Sequence, residues 1–463
     1  MSRGSQCDRA MRQTWGLPDR RHDLLHLLSM HPVRHHDRAG RTVESRLTGT
    51  GTRRRALGRK HRQVTGGLHR GRHLLGNDVV AHTARAATPP SSTKYSLRIN
   101  NFDLIRLLAA SQVLATHLLF YLKLEPSSTI GRFLFFTLLN FPGVPIFFVI
   151  SGFLISLSWE RNSSLKTYVT NRCLRLFPAL WTCLAVTILV MLGSGYLTAA
   201  VFHLQEFLTW VFWQSTIYQT YTSGMLQGFP TAGNPNGSLW SIPIEMQFYI
   251  LLPMLYLILP RSRSGFLWGL IGITALLALT SEWIVKTQNM DNRLGFGLLM
   301  VSCLPYAYMF LLGVIIQRCL PILMPVLRGM LLPWLIFYLC TTLGLHYLGG
   351  WQTGVRLGTN TPPIFTSVII AMMTISAAYT WPTVSDRLLR GNDISYGTYI
   401  YHQVFINLVL YLEIAVVAWQ IIIVVLATYT CAILSWLFIE KPSLSLKQKT
   451  LRRTSSPIRA NDK

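Results

Sequence analysis

Apolar residues follow Phe102 in long runs that short polar breaks separate. A helix that crosses a bilayer needs about 20 predominantly apolar residues, and ten stretches have about that length and character. The pattern therefore predicts an all-α, polytopic membrane protein with about ten transmembrane helices. The predicted spans are 102–122, 133–157, 176–199, 239–259, 265–285, 297–317, 329–347, 363–381, 394–412 and 416–438.

Three regions of different character divide the chain into predicted domains. Residues 94–443 hold the transmembrane domain, and 444–463 form a basic cytoplasmic tail. Residues 1–93 are rich in Arg and His and show no sustained apolar periodicity, so we expect a disordered extension. A basic arm that binds nucleic acid or anionic lipid is one interpretation. We favour a disordered extension or an over-long gene model, and expect no nucleic-acid partner.

Composition and charge support a membrane protein with a defined orientation. Hydrophobic residues make up 50% of the 463 residues and charged residues only 13%, which is too apolar for an ordinary water-soluble enzyme. The formal net charge is +25, and residues 1–93 contribute 18 Lys and Arg against 6 Asp and Glu. After them, Lys and Arg concentrate in alternate breaks, whereas 200–237 contains none. Because cytoplasmic loops are enriched in these residues, we predict that both termini are cytoplasmic.

The first predicted span carries an arginine and a histidine, and ionisable groups are costly in lipid and therefore candidates for function. Arg106 and His117 are eleven residues apart, so they share one helix face and lie roughly 16 Å apart along the axis. Arg106 would lie near the cytoplasmic surface, where its planar fork suits a phosphate or carboxylate. His117 would lie near mid-membrane and suits proton transfer. The alternative is a structural contact between helices.

Other breaks and buried polar groups have two interpretations each. The arginines Arg172 and Arg175, three residues apart, are a second phosphate contact or only positive-inside residues. Glu245, predicted just inside the outer surface, marks a polar cavity or is a capping partner. Interruptions at Pro142 and Gly152 in the second span indicate a cavity lining or, as we expect, close helix packing. The seven cysteines are scattered, so we predict core thiols and no metal site.

Five motifs occur in order along residues 96–445: Arg106 with ten residues before His117, FFVISGFLI at 147–155, the Arg-x-x-Arg at 172–175, SLWSIPIEMQFY at 238–249 and ISYGTYIYH at 394–402. In this set the chain resembles the acyltransferase 3 family of membrane O-acyltransferases of bacterial surface glycans. The resemblance implies that His117 is catalytic and that Arg106 supports it or the donor. The remaining candidates are Arg172 and Arg175 for donor binding, Glu245 for catalysis, and Ser395, Tyr396, His402 and Trp240 for lining the site.

The resemblance also implies an activity and a location. It implies transfer of an acyl group, expected to be acetyl, from cytoplasmic acyl-CoA to a hydroxyl of an extracytoplasmic polysaccharide, O-antigen or related glycan, across the inner membrane. Acyl-CoA is then a donor substrate, with no permanently bound cofactor. His117 would act as a base on a sugar hydroxyl presented near Glu245, or would carry the acyl group itself. A transporter or flippase without chemistry and a glycan sensor are the alternatives.

Overall fold

A computed structural model of the protein describes residues 100–124, 128–199, 201–287, 301–347 and 360–446. These residues are helical and contain no strand, which confirms the all-α prediction. The predicted extension over 1–93 and nearly all of the predicted tail over 444–463 lie outside the described residues. Their boundaries therefore stay predictions.

Fourteen α-helices occur in the described ranges, and α6 and α12 are short. Two 3₁₀ turns, Gly224–Leu226 and Gly237–Trp240, flank α6, and a π-helical turn, Trp436–Glu440, continues α14. The helices are α1 (Phe102–Tyr121), α2 (Thr129–Asn140), α3 (Gly143–Arg161), α4 (Leu165–Gly193), α5 (Leu204–Ser215), α6 (Pro230–Gly233), α7 (Ser241–Ile258), α8 (Arg263–Thr287), α9 (Ala307–Leu327), α10 (Leu331–Tyr347), α11 (Ile364–Tyr379), α12 (Val384–Leu389), α13 (Ser395–Tyr411) and α14 (Val417–Ser435).

Each of the ten predicted spans corresponds to helical structure. In the described residues, 7 helices are long and apolar enough to cross a membrane, and α10 and α11 contain shorter apolar stretches. The tenth is α13, whose 17 residues are almost all buried although several are polar. The protein is therefore a multi-pass membrane protein.

Three boundaries differ from the prediction, and the first two differences have a physical reason. The third span begins at Leu165 instead of 176, because Ser164 caps the helix by accepting from Thr167 N–H and the helix tolerates the two arginines that the prediction left in a loop. The second span is broken between α2 and α3, where Pro142 lacks an N–H to continue the helix. The sixth helix in the predicted series, α9, begins ten residues later than expected.

Glycines set the close approach of α3 to its neighbours. A methyl group on Gly152 would overlap the backbone of Phe310 in α9, and one on Gly313 would overlap the backbone of Val149. The two helices therefore cross with their backbones in contact, as small residues permit in membrane bundles. This confirms the expectation of close packing at Gly152.

Helix α13 lies at the centre of the bundle and packs against α1, α4 and α14. Gly397 allows α14 to approach, since a methyl group there would lie 2.8 Å from Cα of Ala432. The side chains of His402, Gln403 and Asn407 are fully buried in this helix. Because protein rather than lipid surrounds α13, it can carry polar groups that a lipid-facing helix would exclude.

Candidate active site

An open cavity lies where α1, α3, α4, α7 and α13 meet, with about 760 Å³ of space when the solvent at its mouth is included. Its other walls include apolar and aromatic side chains, a mixture typical of ligand pockets. Its lining brings together six candidates from the sequence: Arg106, Arg172, Arg175, Glu245, Ser395 and Tyr396.

Two of the three cavity arginines share one carboxylate. Arg175 donates from Nη2 to Oδ2 of Asp393 at 2.5 Å, and Nη1 of Arg106 lies 3.5 Å from the same oxygen. Arg106 also pairs with Asp103, three residues before it, at 3.4 Å. Acidic partners therefore offset the charge of both guanidinium groups.

Asp393 lies in the turn before α13 and is buried. Its Oδ1 accepts hydrogen bonds from the hydroxyl of Ser395 at 2.5 Å and from the Ser395 N–H at 3.2 Å, which satisfies a free N–H at the start of the helix. Burial alone would raise the pKa of Asp393, but Arg175 and Arg106 outweigh burial and hold its pKa at about 2. Asp393 therefore remains a carboxylate at neutral pH.

Arg172 is different, because no carboxylate in the described residues forms an ion pair with it. Its guanidinium carbon lies 5.7 Å from the ring centroid of Tyr168 and 5.6 Å from that of Tyr249, within the range of cation–π contacts. Its Nε is buried without a hydrogen-bond partner in the same region. A buried donor without a partner is costly, so Arg172 is well suited to bind an anion.

Glu245 lines the cavity on the side of α7. Its Oε1 accepts a hydrogen bond from the hydroxyl of Tyr249 at 2.6 Å, and Tyr249 in turn contacts Arg172. The sequence analysis separated Glu245, on the acceptor side, from the donor arginines. The structure instead brings both into one cavity, because α7 and α4 face each other there.

His117 and His402 form a direct pair: Nδ1 of His117 lies 2.8 Å from Nε2 of His402. His402 is fully buried, whereas His117 is half-buried and its ring also packs edge-on against Tyr121 at 5.8 Å between centroids. His117 lies four residues before the end of α1 at Tyr121. It therefore lies near the C-terminal end of this helix, and its depth near mid-membrane stays a prediction.

Tyr399 connects the cavity with the histidine pair. Its ring lines the cavity, its hydroxyl shares a hydrogen bond of 2.7 Å with Ser241, and its centroid lies 6.0 Å from that of His402. Ser395, Tyr399 and His402 follow one another at spacings of four and three residues, so they share a face of α13. The cavity and the histidines therefore belong to one polar path along this helix.

Two predicted lining residues do not lie on the cavity. Trp240 packs its ring 5.4 Å from that of Tyr306, within the apolar core. His402 is covered on all sides and contacts His117 instead. In the described part of the chain, no group of three His, Cys, Asp or Glu side chains could hold a metal ion.

The sequence analysis missed Asp393, Tyr249 and Tyr399. Asp393 follows Gly391 and Asn392, a combination typical of a solvated turn, so nothing local marked it as a partner of Arg175, 218 residues away. Both tyrosines lie inside motifs that were selected for other residues. Tyr249 follows Glu245 by four residues, and Tyr399 follows Ser395 by four. This spacing was the available signal, since it places side chains on one helix face.

Comparison with known proteins places the chain among the acyltransferases. It matches the acyltransferase 3 family, described as an acyltransferase domain, over residues 99–437. The chain therefore belongs to this family and is an acyltransferase, as the five motifs predicted.

Three relatives cover much of the chain. It is 33% identical over 376 residues to nodulation protein 10 of Rhizobium leguminosarum bv. viciae, a match over 79% of this chain and 99% of that protein. It is 28% identical over 384 residues to peptidoglycan O-acetyltransferase OatA of Listeria monocytogenes, over 76% of this chain and 57% of that protein. An O-acetyl transferase of Shigella phage Sf6 is 26% identical over 66% of this chain and 86% of that protein. No solved structure matches the chain.

Proposed function

We propose that the protein moves an acetyl group from cytoplasmic acetyl-CoA to a hydroxyl of an extracytoplasmic polysaccharide or related glycan, in the inner membrane. The observation that carries the proposal is the cavity in which Arg172 has no carboxylate partner among the described residues, beside two arginines that have one. The names of the Listeria and phage relatives, both O-acetyl transferases, support acetyl as the group.

The donor end of the proposed site depends on a division of labour between the arginines. Arg172 contacts a phosphate of the donor, because its guanidinium is the one without an acidic partner in the described cavity. Arg175 keeps its ion pair with Asp393 and so holds α4 against the start of α13. Tyr396 and Tyr399 then flank the apolar arm that carries the thioester.

The proposed orientation follows from the positions of these groups in their helices. Arg106, Arg172 and Ser395 lie toward the N-terminal ends of α1, α4 and α13. The basic breaks between spans favour the cytoplasm for all three ends. The donor therefore enters from the cytoplasm, and the acceptor reaches His117 from the opposite side.

The proposed reaction uses His117 as a general base. Its ring accepts the proton of the acceptor hydroxyl while that oxygen attacks the carbonyl carbon of the thioester. The new ester bond forms, the carbon–sulfur bond breaks, and the thiolate of CoA leaves and takes up the proton that His117 received. The ring returns to its neutral state, and no other reactant is consumed.

The test uses inside-out vesicles that contain the full chain, radiolabelled acetyl-CoA outside and peptidoglycan glycan fragments inside. We expect label in the glycan. Arg172→Gln should raise the KM for acetyl-CoA about 10- to 100-fold, since a hydrogen bond to a charged group is worth roughly 1.5–3 kcal/mol. Arg387→Gln is the matched control, because Arg387 is exposed and lies outside the cavity.

Two outcomes would contradict the proposal. Vesicles that release no label to any glycan, while glycan export depends on the protein, would favour a transporter. An unchanged KM in Arg172→Gln, with normal transfer, would remove Arg172 from the donor site.

A further inference from the structure

The histidine pair has a defined direction of hydrogen bonding. Nδ1 of His402 lies 3.3 Å from the carbonyl oxygen of Thr398. A carbonyl oxygen only accepts hydrogen bonds, so this Nδ1 must carry the proton. In a neutral ring the other nitrogen, Nε2, then has a free lone pair and acts as an acceptor.

The tautomer of His402 determines the tautomer of His117. Since Nε2 of His402 accepts, Nδ1 of His117 at 2.8 Å must donate. The lone pair of a neutral His117 is then on Nε2, the nitrogen that does not contact His402. The side chain of Gln403 also lies within reach of the His117 ring. No ion pair joins either histidine to a carboxylate in the described residues. The last acceptor in this series of hydrogen bonds is therefore the main-chain carbonyl of Thr398.

Burial assigns different roles to the two rings. His402 is fully buried, so it cannot touch an acceptor hydroxyl. His117 is half-buried and is therefore the less enclosed of the two residues. The ring of Tyr399 lies against His402 and lines the cavity, so the buried histidine is next to the donor site without being part of its surface.

We propose that His402 is a positioning residue, which holds His117 as the Nδ1–H tautomer and so directs its Nε2 lone pair toward the acceptor hydroxyl. This rests on the proposed function of His117 as the base. The fixed carbonyl of Thr398 sets the first hydrogen bond, and the two rings transmit the choice of tautomer across the contact between α13 and α1.

A pair of substitutions separates positioning from packing. His402→Gln can place a carbonyl oxygen where Nε2 lies and still accept from His117, whereas His402→Leu fills the space without an acceptor. For His402→Leu we expect kcat to fall about 100-fold, the scale of a general-base contribution, with an unchanged KM for acetyl-CoA. His402→Gln should recover most of the loss. Tyr121→Phe, which keeps the ring against His117, is the control and should retain activity.

Two results in this assay would overturn the proposal. One is a kcat in His402→Leu within about threefold of the unmodified protein. The other is an equal loss in the Leu and Gln variants, which would mean that the acceptor atom is irrelevant. Normal acetyl-CoA binding by both variants shows that they are folded.

Nitrogen NMR of the full chain with ¹⁵N-labelled histidine tests the tautomers without any activity. The signals of His117 and His402 are identified by their loss in His117→Gln and His402→Gln. We expect both rings to be neutral with protonated Nδ1 at neutral pH. A protonated Nε2 on His117 would overturn the inference even if acetyl transfer is observed. The expected tautomers in a protein that transfers no acetyl group would instead mean that the proposed function fails.

Discussion

At the scale of single residues, Asp393 connects several parts of the site although nothing in the local sequence marked it. One carboxylate pairs with Arg175 and Arg106 and also accepts from Ser395 at the start of α13. Removing one partner of a buried ion pair leaves the other charge uncompensated, which is far more costly than losing an exposed pair. Asp393 therefore controls both the charge of the cavity and the position of α13.

Asp393→Asn should lower the free energy of unfolding by about 3 kcal/mol at pH 7, the scale for breaking a buried pair. Thermal unfolding in detergent measures this. The pKa of Asp393 is lowered to about 2, so its stabilising contribution is complete above its ordinary pKa of 3.8 and disappears as the pH falls through 2. The two proteins should therefore converge toward pH 2. The exposed Asp386→Asn is the control, and equal stability of both variants at pH 7 would contradict the prediction.

Residue types and spacing predicted much of the site but not its pairings. Arg106 and Glu245 were recognisable because charges inside apolar segments need a reason to be there. Arg172 was recognisable only by its spacing of three residues from Arg175, in a segment predicted as a loop. The contact of His117 with His402 spans 285 residues of chain, and one sequence carries no signal for such a pairing. The same limit explains why Arg172 and Arg175 looked equivalent, although among the described residues only Arg175 has an acidic partner.

At the scale of helices, hydropathy located the spans and failed at their ends. Helix α4 extends eleven residues further toward its N-terminus than its apolar run, because Arg172 and Arg175 point into a protein cavity and not into lipid. Helix α13 was found by its apolar residues although several of its buried side chains are polar. In both cases the missing information was which neighbours surround the helix.

The contact between α3 and α9 gives a prediction at this scale. Gly152→Ala should lower the free energy of unfolding by about 1–3 kcal/mol, the usual cost of overpacking, because the added methyl meets the Phe310 carbonyl. Gly272→Ala is the matched control, since its added methyl meets open space and alanine favours a helix by up to about 1 kcal/mol.

Thermal unfolding in detergent compares the two variants with the unmodified protein. Transfer activity should fall in Gly152→Ala as well, because α3 contributes Phe147 and Ser151 to the cavity wall. A Gly152→Ala protein as stable as Gly272→Ala would show that the two backbones separate easily.

At the scale of the whole molecule, the cavity and the histidine pair lie one after the other along α13. Asp393 and the arginines lie at one end of α13, Tyr399 lies next, and His402 meets His117 two turns from the start. A donor held by the arginines and an acceptor at His117 would therefore approach each other along a single helix.

The same view predicts which part of the chain is sufficient for activity. Every residue of the cavity and of the histidine pair lies between Arg106 and His402, and the family match begins at residue 99. A chain that begins at Thr93 should therefore insert into the membrane and transfer acetyl at the rate of the full chain. Membrane-fraction yield and transfer per mole of protein measure this. A chain that begins at Gln112 lacks half of α1 and should fail in both assays. Normal insertion of the Thr93 chain with lost transfer would instead assign residues 1–92 a part in the reaction.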